Sequence, residues 1–131
     1  MPQFIAQHIP DEPKLDAFTA AYLEAAEWLW SEEPEEGFED CEGWSPDAIK
    51  EACEDCKNFQ TANARALRIA AERYGFSDEQ AGHDFWLTRN HHGAGFWDRG
   101  IGRVGKVLTD AAHAFGEIDS YVGDDSLAYF S

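Results

Sequence analysis

The sequence predicts an α+β fold, with helices packed on a small antiparallel sheet of about three strands and a β-hairpin at the C-terminus. Apolar residues recur at helical spacing through most of the first 75 residues and again over 101–115, whereas 117–130 alternates around a turn. The 131 residues are 44% hydrophobic and 14% aromatic, which is enough for one domain with its own core. We therefore expect a single domain over 1–131, with an acidic helical half at 1–75 and a second half at 76–131.

Two helices are expected in the first half. The first begins at Asp11, which caps it, with Pro13 in its first turn. Ser45 caps the second, Pro46 occupies its first position, and Gly75 ends it. Steps of three and four residues predict the buried stripe of the first helix: Leu15, Phe18, Tyr22, Ala25 and Leu29.

The second half is expected to supply the strands. Residues 83–89 carry large aromatic and aliphatic side chains, which are typical of a strand. Residues 101–115 return to helical spacing, and Gly116 ends that helix. Residues 117–122 and 127–130 alternate on either side of the turn 123–126, which predicts the terminal hairpin.

The net charge of −16 is unevenly distributed along the chain. Residues 1–64 hold 16 acids and 3 bases, whereas residues 65–131 hold 10 acids and 7 bases. Such a field repels nucleic acid and anionic lipid and attracts basic partners. Because clusters of Lys and Arg are lacking, we expect no direct binding to nucleic acid. The charge either provides solubility alone or forms a surface that competes with nucleic acid for a basic groove.

Neither a membrane segment nor a metal site is expected. No apolar run is long enough to cross a bilayer, and the N-terminal residues lack the features of a signal peptide. The odd number of cysteines favours reduced thiols in a cytosol. Cys53 and Cys56 form a C-x-x-C pair, but it lies inside a predicted helix and has no second pair, so no metal and no cofactor are predicted.

The segment 82–99, GHDFWLTRNHHGAGFWDR, concentrates residues that can perform chemistry. Histidines titrate near neutral pH, aspartates orient them, and arginines clamp carboxylates or phosphates. If the protein is an enzyme, the candidates are His83, Asp84, Arg89, Asn90, His92, Asp98 and Arg99. The favoured alternative is a structural lock made of a buried Arg–Asp pair and a capping Asn, with the neighbouring aromatic residues in the core.

The same segment carries a family resemblance. Residues 81–100, the helix that follows and the sequence YVGDD at 121–125 resemble a group of small acidic proteins encoded by bacteriophages and prophages, with the motif GHDFWLTRNxHGAGFWDRG. In that pattern glycine stands at the position of His91, so His92 is the matching histidine. The family has no settled activity, and the resemblance implies the cytoplasm of a bacterial host as the location.

Three functions remain open, and the first is favoured. The chain can inhibit a host nucleic-acid-binding protein of defence or replication by presenting a DNA-like negative surface. It can be a small enzyme or ligand-binding protein that uses the cluster at 82–99, or a virion or assembly accessory protein. The surface predicted for the first function consists of Glu27, Glu32, Glu33, Glu35, Glu36, Glu39, Asp40, Glu42, Asp47, Glu51, Glu54 and Asp55.

Overall fold

The computed structural model describes residues 15–31, 41–92 and 95–131, and over these residues the fold is α+β. The α-helices are α1 (Ala17–Ser31), α2 (Pro46–Ala62), α3 (Ala64–Tyr74), α4 (Asp78–Arg89) and α5 (Arg103–Ala114), with a 3-10 helix at Phe96–Asp98. The strands β1 (Ser120–Val122) and β2 (Ala128–Phe130) form the hairpin. Within the described ranges, no helix is both long and apolar enough to cross a membrane.

Helix α1 buries three residues of the predicted stripe, Phe18, Tyr22 and Ala25, whereas Leu15 is only partly buried and the side chain of Leu29 lies outside the described part of the structure. Its first turn is stabilised by Asp16, whose carboxylate accepts a hydrogen bond from the backbone N–H of Thr19 at 2.8 Å. The predicted helix that runs from Asp11 through residue 15 is therefore wrong, because residues 15 and 16 are not helical and α1 begins at Ala17. The predicted cap at Asp11 and the proline at position 13 themselves lie outside the described residues.

The prediction of one continuous helix from Pro46 to Tyr74 is wrong, because the chain breaks at Asn63 into α2 and α3. The backbone of Asn63 leaves helical geometry (φ −117°, ψ 24°), and its side chain donates to the carbonyl of Phe59 at 2.9 Å. This local hydrogen bond competes with continuation of the helix. The predicted ends hold, with Ser45 capping α2 and Gly75, at φ 67°, ending α3.

The prediction of a strand at 83–89 is also wrong, because these residues belong to α4. Ser77 caps this helix by accepting from the N–H of Gln80 at 3.0 Å. Aromatic and polar side chains are buried on several faces of α4, among them Phe85, Trp86 and Thr88. A helix surrounded by core has no polar face, so its sequence lacks the periodicity that distinguishes it from a buried strand.

The sheet therefore has two strands rather than three. Strands β1 and β2 pair antiparallel with Tyr121 opposite Tyr129, as expected for the predicted hairpin. A parallel bridge joins Trp44 to Ala128, and the ring of Trp44 stacks on Phe130 at 4.7 Å. The hairpin is thus fixed to the segment that leads into α2.

The core is built around the contact between α1 and α4 and is rich in aromatic rings. Gly82 permits the two helices to approach closely, since a Cβ there would stand 1.9 Å from the carbonyl oxygen of Phe18. Phe59 of α2 stacks on Phe85 of α4 with centroids 4.2 Å apart, and Phe96 follows at 5.8 Å from Phe59. The motif segment therefore lies at the centre of the fold.

Candidate functional site

Asp84 is the buried centre of the first group of motif residues. Arg99 binds it with two hydrogen bonds, Nε to Oδ2 at 2.8 Å and Nη2 to Oδ1 at 2.9 Å. Gln80 donates a third from Nε2 to Oδ1 at 2.9 Å. The hydrogen bonds to Asp84 raise the pKa of Arg99 above its ordinary value. The fully buried charge is therefore compensated by a fork of donors, as buried carboxylates require.

His83 is the one motif histidine that contacts an aspartate of the motif. Its Nδ1 lies 3.2 Å from Oδ1 of Asp84, and 45% of its side chain is exposed. The ring lines a cleft of about 390 Å³ together with Glu24 and Glu79. In this arrangement Asp84 can orient the imidazole, whose half-exposed side chain lines the cleft. The contact between His83 and Asp84 is the feature of the structure that best supports the enzymatic interpretation.

Arg89 forms a second, separate group, because its guanidinium is buried and fully engaged. It donates to the carbonyl oxygens of Gly116 and Phe115 at 2.8 and 3.1 Å. It also donates to the hydroxyl of Tyr22 at 3.1 Å and to Oδ2 of Asp55 at 2.8 Å. The side chain of Arg89 therefore links α1, α2, α4 and the end of α5. Because its guanidinium is bonded within the fold, it is not positioned to bind a ligand.

The guanidinium of Arg89 also packs against two neighbouring aromatic rings. Its central carbon lies 5.7 Å from the centroid of Phe85 and 5.6 Å from that of Phe115. A planar cation suits this position, whereas the ammonium of lysine could not make the same set of contacts. The residue is a structural cross-link.

Asn90 and Thr88 complete the lock. The amide of Asn90 donates to the carbonyl of Trp86 at 3.0 Å and accepts from the N–H of Ile118 at 2.9 Å, which ties the end of α4 to the segment before β1. The hydroxyl of Thr88 accepts from the N–H of Phe96 at 3.2 Å. Backbone groups thus satisfy these two buried side chains, which fix the chain on either side of the turn after α4.

His92 and Asp98 do not join either group. Both are exposed, and neither has a side-chain hydrogen bond with the residues that the structure describes. The seven candidate catalytic residues thus divide into a group around Asp84, a group around Arg89, the capping Asn90 and two exposed side chains. The geometry favours the structural lock over one convergent site.

His91 lies in the turn that follows α4. Its backbone has φ 55°, in the left-handed region that glycine adopts without strain. Its ring stacks on His113 of α5 with centroids 4.3 Å apart. The residue therefore occupies a turn position where a side chain is tolerated rather than required.

The predicted acidic surface is only partly within the described residues. Glu42, Asp47, Glu51 and Glu54 are exposed, and none forms an ion pair with another described residue. Glu27 is partly buried, and burial raises the pKa of its carboxyl. The remaining loop acids lie outside the described residues: Glu32, Glu33, Glu35, Glu36, Glu39 and Asp40.

Asp55 has a different environment from the other acids of α2. It is paired with Arg89, and 35% of its side chain is exposed. Its carboxylate therefore stabilises the fold and is a poor candidate for partner binding.

Two acids that the sequence did not assign to the surface lie beside it. The N–H of Glu42 donates to the carbonyl of Ser126 at 2.8 Å, which places the hairpin turn with Asp124 and Asp125 next to the start of α2. Both are exposed, and hydrogen bonds from the hydroxyl of Tyr129 and the N–H of Leu127 lower the pKa of Asp125. No local pattern indicates this neighbourhood, because it depends on how the hairpin docks.

The structure offers little to a metal ion. No group of three or more His, Cys, Asp or Glu side chains is arranged to bind one within residues 15–31, 41–92 and 95–131. Cys56 is fully buried in α2, and burial raises the pKa of its thiol, which disfavours the thiolate that metals bind.

Comparison with known proteins found no family model, no curated protein and no solved structure that matches the chain. The role of each residue is therefore inferred from its own contacts.

Proposed function

We propose that this protein binds a nucleic-acid-binding protein of a bacterial host and inhibits it by presenting a negative surface that resembles DNA. The observation that supports this most directly is a set of exposed carboxylates on α2 and the docked hairpin that have no ion pairs among the described residues. We call this set the acidic face, and it consists of Glu42, Asp47, Glu51, Glu54, Asp124 and Asp125.

The spacing of the acidic face suits this function. Asp47, Glu51 and Glu54 follow one another at four and three residues, so they share one side of α2. At 1.5 Å per residue they place one carboxylate about every 5 Å along the helix, compared with about 3.4 Å of axis per phosphate on one DNA strand. The hairpin acids lie beside them and increase the local density of negative charge.

Two lysines on α2 reduce the negative charge of part of the acidic face. Lys50 and Lys57 are exposed on the same helix, and they partly neutralise the field along α2. The hairpin acids and Glu42 stand at the N-terminal end of α2, where the acids outnumber Lys50. We therefore expect the partner's basic groove to contact this end.

The state of the motif also supports an interaction function. A catalytic cluster would leave a polar side chain free to meet a substrate, but Arg89, Asn90 and Asp84 are engaged within the fold. The phage-like character of the motif favours a host target and a location in the bacterial cytoplasm, by association. The His83–Asp84 pair supports the second candidate, a small enzyme or ligand-binding protein.

The experiment is affinity capture from a bacterial lysate, with DNA as competitor and with two charge-reversal variants. The test variant carries Glu42→Lys, Glu51→Lys and Glu54→Lys. Asp47 is left unchanged because it lies in the first turn of α2 and stabilises the helix dipole. The matched control carries Glu72→Lys, Glu117→Lys and Asp119→Lys, which change the net charge equally at exposed sites elsewhere that form no ion pair with another described residue.

The expected result is capture of a nucleic-acid-binding protein by the wild type and the control, release by DNA or high salt, and loss of capture in the test variant. Circular dichroism checks that both variants are folded. Capture that survives in the test variant, or that both variants lose equally, would contradict the proposal.

A further inference from the structure

An apolar groove lies between α3 and α5, away from the motif lock and the acidic face. Its volume is about 440 Å³, within the range of small-molecule sites. Ile69, Ile101 and Val104 contribute apolar surface to its lining. Two of its apolar side chains are unusually exposed for their type, Tyr74 at 47% and Val107 at 45%. The groove therefore exposes apolar surface to solvent.

Three arginines surround this groove. Arg65 and Arg73 extend from α3, and Arg103 extends from the first turn of α5. All three are exposed, and none forms an ion pair with a carboxylate in the part of the chain that the structure describes. Among the described residues, no acidic side chain lines the groove. In a chain of net charge −16, this concentration of unpaired cations is a local reversal of the charge.

The apolar lining and the arginines together favour one class of ligand. An apolar floor favours a flat or branched hydrocarbon body, and guanidinium groups at the rim favour a carboxylate, sulfonate or phosphate through charge-assisted hydrogen bonds. We propose that this groove binds a small amphipathic anion, a molecule with an apolar body and one terminal anionic group. The protein's own negative field disfavours anions elsewhere on the surface, so the arginine rim makes this groove the preferred position for one.

Tyr74 lines the groove and lies at the C-terminal end of α3. A Cβ at Gly102 would stand 2.8 Å from the Tyr74 hydroxyl, so the phenol lies against the backbone that precedes α5. Its ring is thereby held beside Arg73 and Arg103 and offers an aromatic wall with a polar edge.

The test uses anilinonaphthalene sulfonate, an aromatic body with one sulfonate whose fluorescence increases on apolar binding. N-phenylnaphthylamine has nearly the same rings without the charge and serves as the neutral comparison. The test variant carries Arg73→Gln and Arg103→Gln. Its matched control carries Arg68→Gln and Lys106→Gln, which also remove one cation from α3 and one from α5 but do not line the groove.

We expect the wild type and the control to bind the sulfonate with similar affinity, and the test variant to bind it roughly tenfold more weakly. The neutral compound should bind wild type and test variant alike. Val107→Glu, at an exposed position, should abolish sulfonate binding without unfolding the protein.

Equal weakening in the test and control variants would overturn the proposal, because it would reflect only the total charge. Unchanged sulfonate affinity in the test variant would overturn it too. If that result came with a change of sedimentation coefficient, the arginines would instead contact a second copy of the chain.

Discussion

The guanidinium of Arg99 binds the carboxylate of Asp84 through two hydrogen bonds, yet the two side chains differ in their access to water. Asp84 is completely buried, whereas 29% of the Arg99 side chain is exposed. If the pair is broken, Arg99 can turn toward solvent, but Asp84 cannot. The two partners should therefore respond differently to substitution, since an unpaired buried charge is the costly outcome.

We expect Arg99→Gln to lower the free energy of unfolding by about 3 kcal/mol, because it leaves the Asp84 carboxylate with weaker partners. Asp84→Asn should cost only about 1–2 kcal/mol, since the released cation can be hydrated. Urea unfolding at neutral pH measures both. Lys106→Gln, which breaks an exposed ion pair, is the control and should cost no more than about 0.5 kcal/mol. Equal losses of stability in the two variants would show that the difference in solvent exposure does not determine how each partner responds to substitution.

Close packing of α1 against α4 leads to a second prediction. Gly82→Ala should cost about 3 kcal/mol, because the added methyl group would collide with the Phe18 backbone and force the helices apart. Gly100→Ala is the matched control: its φ of 68° imposes strain, but no atom lies within 4 Å of the added Cβ. It should cost only about 1 kcal/mol. Thermal or urea unfolding measures both losses of stability. A loss for Gly82→Ala that is no larger than the loss for Gly100→Ala would contradict the predicted collision.

Two buried acidic groups predict a loss of stability at alkaline pH. Burial raises the pKa of the Cys56 thiol above 9.0 and that of the Tyr22 hydroxyl above 10.0, the latter against the opposing effect of Arg89. The unfolded chain releases these protons first, so above about pH 9 the native state binds more protons than the unfolded state. The free energy of unfolding should then fall by up to about 1.4 kcal/mol per pH unit for each group, and below pH 9 this contribution is fully present.

Urea unfolding between about pH 8 and pH 11 tests this dependence. Cys56→Ala should reduce the fall of the free energy of unfolding with pH from about pH 9, and Tyr22→Phe should reduce it from about pH 10. Both substitutions also lower the overall stability. The exposed Tyr121 supplies the control substitution, Tyr121→Phe, which should leave the slope as in the wild type. Parallel slopes in all four proteins would refute the assignment.

The left-handed backbone of His91 leads to a stabilising substitution. His91→Gly should raise the free energy of unfolding by up to about 1 kcal/mol, because the strain at φ 55° exceeds the entropy that glycine loses on folding. The gain is reduced by loss of the stack on His113. His92→Gly is the control, and it should be neutral or destabilising. If both glycine variants lose stability equally, backbone strain at position 91 is not significant.

The hairpin, the buried side of α1, the start of α2 and the end of α3 could be predicted from local features. Ser45, Pro46 and Gly75 mark the ends of α2 and α3 through hydrogen bonds and backbone conformations that involve only neighbouring residues. The spacing of Phe18 and Tyr22 was sufficient to identify the buried side of α1. Such features depend on a few consecutive residues, so the sequence carries them directly.

The strand predicted at 83–89 fails for a different reason. Phe85 and Trp86 favour a pleated surface by propensity, but α1 and α2 surround this segment and stabilise a helix that is buried on several faces. The break at Asn63 was missed because it rests on a competing side-chain hydrogen bond that a continuous apolar stripe does not indicate.

By itself the sequence determined the α+β class, the cap of α2 at Ser45, the end of α3 at Gly75, the C-terminal hairpin and the concentration of negative charge in the first half. Only the tertiary structure decided which charges remain available. Glu54 and Asp55 are adjacent, yet Glu54 faces solvent while Asp55 binds Arg89, which lies 34 residues away in the chain. Successive side chains on a helix point in directions about 100° apart, so the docking of α4 against α2 separates the two acids.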